Sequence, residues 1–178
     1  MSTDRTEEAR HGVRALALAL AFVAAAVFAL PAAGGETKTA AAGDLDQARA
    51  FVRNLQLDEN FGGMIVRTAL LTPTIRALAK NHEEISVYHA LRQFTLVAVS
   101  QYGEAWTENL AKAYAAHFSN AEMASIIAER AKSPHFEKIG ERGTAVGDTM
   151  RDLSYDLLGK AASEVVTKVL REFSGPKR

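Results

Sequence analysis

The 178-residue chain sets 21 Lys and Arg against 21 Asp and Glu and contains no cysteine. A formal charge of zero leaves no basic excess for nucleic acid or an anionic membrane surface, and no acidic excess either. Without cysteine there are no disulfides, thiolate metal sites or thiol catalysis, so the core is held by packing alone.

Arg10 and Arg14 stand immediately before an apolar run, Ala15 to Leu30, that has no polar side chain. Pro31 and the small residues Ala32-Ala33-Gly34-Gly35 follow. Basic flank, short apolar core and small residues predict a secretory signal peptide over residues 1–33, removed between Ala29 and Ala42. The run is slightly short for a spanning helix of about 20 residues, but counting through Ala33 brings it close, so an uncleaved anchor is the alternative. Both readings place the rest of the chain outside the cytoplasm, periplasmic or secreted. They allow membrane contact only through this segment. Residues 34–43 are small and alanine-rich and read as a flexible tether; residues 44–178 are then a single domain.

Alanine is abundant and Pro and aromatics are few, which favours helix. Asp44 caps a first helix carrying Leu45, Ala48, Phe51, Val52 and Leu55. Asp58 caps a second, weakened by Gly62-Gly63, whose apolar side is Ile65, Ala69 and Leu70-Leu71. Thr72-Pro73 opens a short helix to about Lys80. The next begins at Asn81 or His82. From Phe94 to Val99 it is apolar almost all round, the pattern of burial on several sides. Gly103 predicts a break or bend. Trp106, Leu110, Ala113, Tyr114 and Phe118 form the stripe of the helix that follows it.

Ser119 stands three residues before Glu122, the spacing of a capping box. Ser133-Pro134 then supplies a second start, Ser as N-cap and Pro at the first helical position. From there the pattern predicts one helix to about Phe173. Phe136, Ile139, Gly143, Val146, Met150, Leu153 and Leu157 fall on one side, and Gly140, Gly143 and Gly147 lie together on its flank. Past Leu158 the apolar set becomes Ala162, Val165, Val166, Val169 and Phe173, rotated by roughly a third of a turn, with Gly159 at the shift. A bend at Gly159, or a change of packing partner, accounts for it. No stretch alternates long enough to be a strand. The expected fold is all-α, a compact bundle of about five to seven helices with a long C-terminal one.

Residues 111–138 resemble a family of small exported proteobacterial helical domains of unassigned function. Its pattern runs Tyr-Ala-x-x-Phe-Thr-x-x-Glu-Leu, then Phe-Tyr-x-Ser-Pro-x-Gly-x-Lys. Tyr114-Ala115, Phe118-Ser119, Glu122-Met123, Ser133-Pro134 and Lys138 match. Arg130-Ala131 replaces the aromatic pair, and Phe136 stands in place of Gly. The resemblance implies an exported helical domain and no catalytic residue.

Chemistry-bearing motifs are few in the sequence. Glu137, Glu141, Asp148 and Asp152, with Asp156 nearby, could suggest a cation site, but the four lie opposite the apolar stripe, where solvated charge belongs. Asp156 with Lys160, and Glu164 with Lys168, have ordinary i, i+4 pairing. His82 and His89 are roughly 10 Å apart along a helix, too far for one metal. Glu83 and Glu84 lack the second His of a zinc-hydrolase helix. His117 and His135 sit beside caps. No serine lies in a Gly-x-Ser-x-Gly elbow, and the glycines of 140–147 lack a phosphate loop's strand and Lys. No catalytic, cofactor-binding or metal residue is therefore expected. The residues singled out are the caps Ser119, Glu122, Ser133 and Pro134 and a helix-contact face of Phe136, Gly140, Gly143 and Gly147, whose small residues admit a close backbone. The expected function is a non-catalytic exported domain working through contact with itself or an envelope protein. A carrier of a lipid or other small hydrophobe in the bundle core is the first alternative, and an enzyme with a dispersed site the second.

Overall fold

The computed structural model describes residues 43–175; the expected leader and most of the tether lie outside them. Within that range the chain is all-α. Seven α-helices run in order: α1 Leu45–Asn54, α2 Asn60–Leu70, α3 Pro73–Asn81, α4 Glu84–His117, α5 Asn120–Glu129, α6 Lys138–Glu141 and α7 Gly143–Ser174. Three-residue 3₁₀ turns, Leu57–Glu59 and Arg130–Lys132, follow α1 and α5. No described helix is long and apolar enough to cross a membrane.

The described helices gather into two compact units. The first takes residues 43–55 and Ala111–Asp152, the second Gln56–Leu110 and residues 153–175. Each unit joins stretches distant in sequence, and both boundaries in the long helices fall inside unbroken helix. No linker composition marks them.

The first unit closes around three rings. Phe51 of α1 lies 5.0 Å from Tyr114 and 6.1 Å from Phe118, and Tyr114 lies 5.6 Å from Phe118. Met123 and Ile126 of α5 and Val146 and Met150 of α7 complete this buried set. The chain enters it at Gly43, whose N–H donates to the Ala115 carbonyl at 2.7 Å. A Cβ there would stand 2.4 Å from the Phe118 carbonyl oxygen, so only glycine fits. Asp44 then caps α1, accepting from the Asp46 N–H at 2.9 Å.

In the second unit Phe61 stacks on Trp106 at 4.6 Å, and Gly62 faces Thr95 and Val99, bringing α2 onto α4. Ile65, Ile75, Leu91, Val165 and Val169 are fully buried around them. Thr72 caps α3 by accepting from the Ile75 N–H, and its hydroxyl donates to the Ala69 carbonyl. Asp58 is not a cap: it lies in the 3₁₀ turn and accepts from the Thr107 hydroxyl at 3.2 Å.

Several expectations along the long helices are corrected. Gly103 neither breaks nor ends a helix, because α4 runs for 34 residues through it. Buried residues on both sides, Ala98 and Tyr102 before it and Trp106 after it, outweigh the roughly 1 kcal/mol that glycine costs. The 94–99 stretch is not buried all round either: Leu96 and Val97 face solvent. Downstream, the expected helix from Pro134 is three pieces. Residues 134–137 are turns held by tight i→i+3 bonds, such as Phe136 N–H to the Ser133 carbonyl, before α6 and α7. Gly143 is thus the first residue of α7 instead of a mid-helix position. Helix α7 passes unbroken through Gly159. Leu153, expected on the buried stripe, is exposed.

Candidate functional site

Helix α5 starts at a full capping box. Ser119 Oγ accepts from the Glu122 N–H at 3.3 Å, and the Glu122 carboxylate accepts from the Ser119 N–H at 2.9 Å. The carboxylate is only 8% exposed, because Met123 and Ile126 pull this face of α5 inward. Two cations meet it there. Arg142, between α6 and α7, places Nη1 2.9 Å from Oε2 and Nη2 3.1 Å from Oε1; Lys138 Nζ lies 2.6 Å from Oε1. Arg142 also donates to the His117 carbonyl at 2.6 Å and lies over the Phe118 ring at 5.0 Å. It satisfies the last turn of α4 and the first of α5 together.

Burial alone would raise the Glu122 pKa. The hydrogen bonds from Arg142, Lys138 and the Ser119 N–H, with the charge of Arg142, outweigh that and hold it at about 2. Such a carboxylate takes up no proton near neutrality and makes a poor general base. Its oxygens are occupied by the chain's own donors. The cluster is a clasp that fixes the α4–α5 corner to the start of α7.

The other residues singled out from sequence do not assemble. Ser133 is buried; its Oγ bonds Ser125 Oγ at 2.8 Å and accepts from the His135 N–H at 3.1 Å, a local cap over turns instead of a helix start. Pro134 is exposed and Phe136 half-buried. Gly140 is exposed, and a Cβ on it would have nothing within 4 Å; Gly143 is buried and Gly147 half-buried. Gly140 lies in α6, and Gly143 and Gly147 lie in α7. Glu137, Glu141, Asp148, Asp152 and Asp156 are exposed. His82 packs against Phe173 at 4.8 Å, His89 faces solvent, and His117 Nε2 lies 2.8 Å from Thr149 Oγ1. Among the described residues no group of three His, Asp or Glu side chains is placed to hold a metal ion.

Lys160 and Glu164 also depart from their expected i, i+4 partners. The Tyr102 hydroxyl donates to Glu164, and Lys160 lies 5.6 Å over the Tyr102 ring. The hydrogen bond to Glu164 is the main cause that raises the Tyr102 pKa, with burial adding to it.

What stands out on the surface is an apolar stripe on α4. Ile85, Tyr88, Arg92 and Leu96 follow at spacings of three, four and four, so one helix face carries them all. Ile85 is 60% exposed, Tyr88 42% and Leu96 72%. The same helix buries Val87, Ala90, Leu91 and Ala98 on its opposite side. Arg92 is exposed and has no ion pair among the described residues. The spacing was visible in the sequence, but a stripe at helical period reads as core unless a second stripe on the same helix claims the core. Arg142 was missed as well; an acid at the third position of a helix rich in buried apolar residues was the available sign that a cation must come to it.

Compared with protein families, with curated proteins and with solved structures, the chain matches none.

Proposed function

We propose that this chain is an exported, non-catalytic helical protein that works by contact, through the outward face of α4. The observation that carries the reading is the exposed stripe of Ile85, Tyr88 and Leu96 on a helix whose other side already supplies a core. Large apolar side chains gathered on one face, with a free cation among them, are the composition of a contact surface. Export rests on the basic flank, apolar run and small residues of 1–33. The resemblance of residues 111–138 to exported helical domains points the same way.

Two measurements test it. N-terminal sequencing of the protein from the envelope fraction should give a start between Ala29 and Ala42, and an intact Met1 in the cytoplasm would refute export. A photo-crosslinking residue at position 96 should capture an adduct in intact cells, while the same residue at the exposed Ser163 should not. No adduct at position 96 would refute contact through this face.

A further inference from the structure

The stripe on α4 is its own complement, and from this we infer that its partner is a second copy of the same chain. The inference rests on the contact reading above and adds the identity of the partner. An isologous pair of antiparallel helices sets residue i against residue j and j against i. A twofold axis beside position 90 puts Tyr88 of one copy against Arg92 of the other, and the reverse. Arg92 has no ion pair and Tyr88 no ring partner among the described residues, so both groups are available for each other. A guanidinium over a tyrosine ring is an attractive pairing, and the symmetry makes two of them.

The same axis brings Ile85 of one copy beside Leu96 of the other at both ends of the seam. Apolar contacts therefore flank a central cation–ring layer, with no like charges opposed. A foreign helix would need an aromatic and an apolar residue at matching positions; a second copy has them already. Residues 84–96 form a strip about 18 Å long and roughly 10 Å wide, or roughly 180 Å² in projection, well below the roughly 800 Å² per partner of a standard interface. The dimer is accordingly weak, in the micromolar range, and dissociates on dilution.

Sedimentation velocity of the protein purified from cells, over a range from low to high micromolar, tests this. The expected result is a concentration-dependent rise from the mass of one chain to that of two. Leu96→Asp should weaken association roughly a hundredfold, because each dimer carries the change twice, and should leave the helical circular dichroism unchanged. Should Leu96→Asp lose helicity, Arg92→Glu provides the same reading, with association lost and helicity kept. His89→Cys, near the axis in a chain with no other cysteine, should form a disulfide-linked dimer on mild oxidation. A wild-type monomer throughout the range overturns the inference, and so does a dimer that persists in Leu96→Asp and Arg92→Glu. The crosslink at position 96 separates the two claims. An adduct of twice the chain mass supports both, and one of another mass overturns self-association while leaving the contact reading in place.

Discussion

Arg142 reaches twenty positions back along the chain to hold both carboxylate oxygens of Glu122, at 2.9 and 3.1 Å. Replacing Glu122 by Gln leaves Arg142 and Lys138 facing each other without a counter-charge. Both cations are a quarter to a third exposed, so the loss falls below that of a fully buried pair, at about 2 kcal/mol. Urea denaturation at pH 7 should show it as a lower midpoint.

The same carboxylate sets the acid limit. Its pKa falls from 4.5 to about 2 on folding, so its contribution is fully present above pH 4.5 and disappears as pH falls towards 2. The amount is on the order of 3 kcal/mol. Stability measured between pH 6 and pH 2 should decline more steeply in the wild type than in Glu122→Gln.

Tyr114 sets an alkaline limit. Burial pushes its pKa from 10.0 up to about 12, so its contribution is intact below pH 10 and is lost as pH rises through 12. In a spectrophotometric titration two of the four tyrosines, Tyr102 and Tyr114, should ionise later than the rest, and Tyr114→Phe should remove the phase near pH 12.

Two glycines should respond oppositely to alanine. At Gly43 the new methyl would meet the Phe118 carbonyl oxygen at 2.4 Å and the Met123 side chain at 2.6 Å, costing about 1–3 kcal/mol. At Gly140 it would meet nothing within 4 Å, and the helical gain of up to about 1 kcal/mol should appear. Thermal melts of both variants check the pair.

Arg130 closes α5 at φ 56°, ψ −129°, a conformation that favours glycine, while its guanidinium donates to the Asn54 carbonyl at 3.1 Å. Arg130→Ala loses the bond and keeps the strain; Arg130→Gly loses the bond and relieves it. The glycine variant should be the more stable of the two by about 1 kcal/mol.

Local chemistry was legible where it is written in adjacent residues. Asp44, Thr72-Pro73 and Ser119 with Glu122 announced helix starts because a cap is a bond within three positions. The all-α fold and the long C-terminal helix followed from period and composition. What stayed hidden depends on distant residues. Glycine at 103 was overruled by buried neighbours on both sides, and Pro134 opened tight turns where a helix was expected. Leu96 looked like core since no local rule says which of two apolar faces a helix buries.

If the protein works by contact through the outward face of α4, that face is covered when the protein is in use. Oxidative footprinting compares the same side chains in dilute purified protein and in intact cells. Tyr155, 75% exposed on α7, serves as the internal reference. The account predicts that labelling of Tyr88 and Leu96 falls severalfold in cells relative to Tyr155. Equal labelling of Tyr88, Leu96 and Tyr155 in both settings would contradict it.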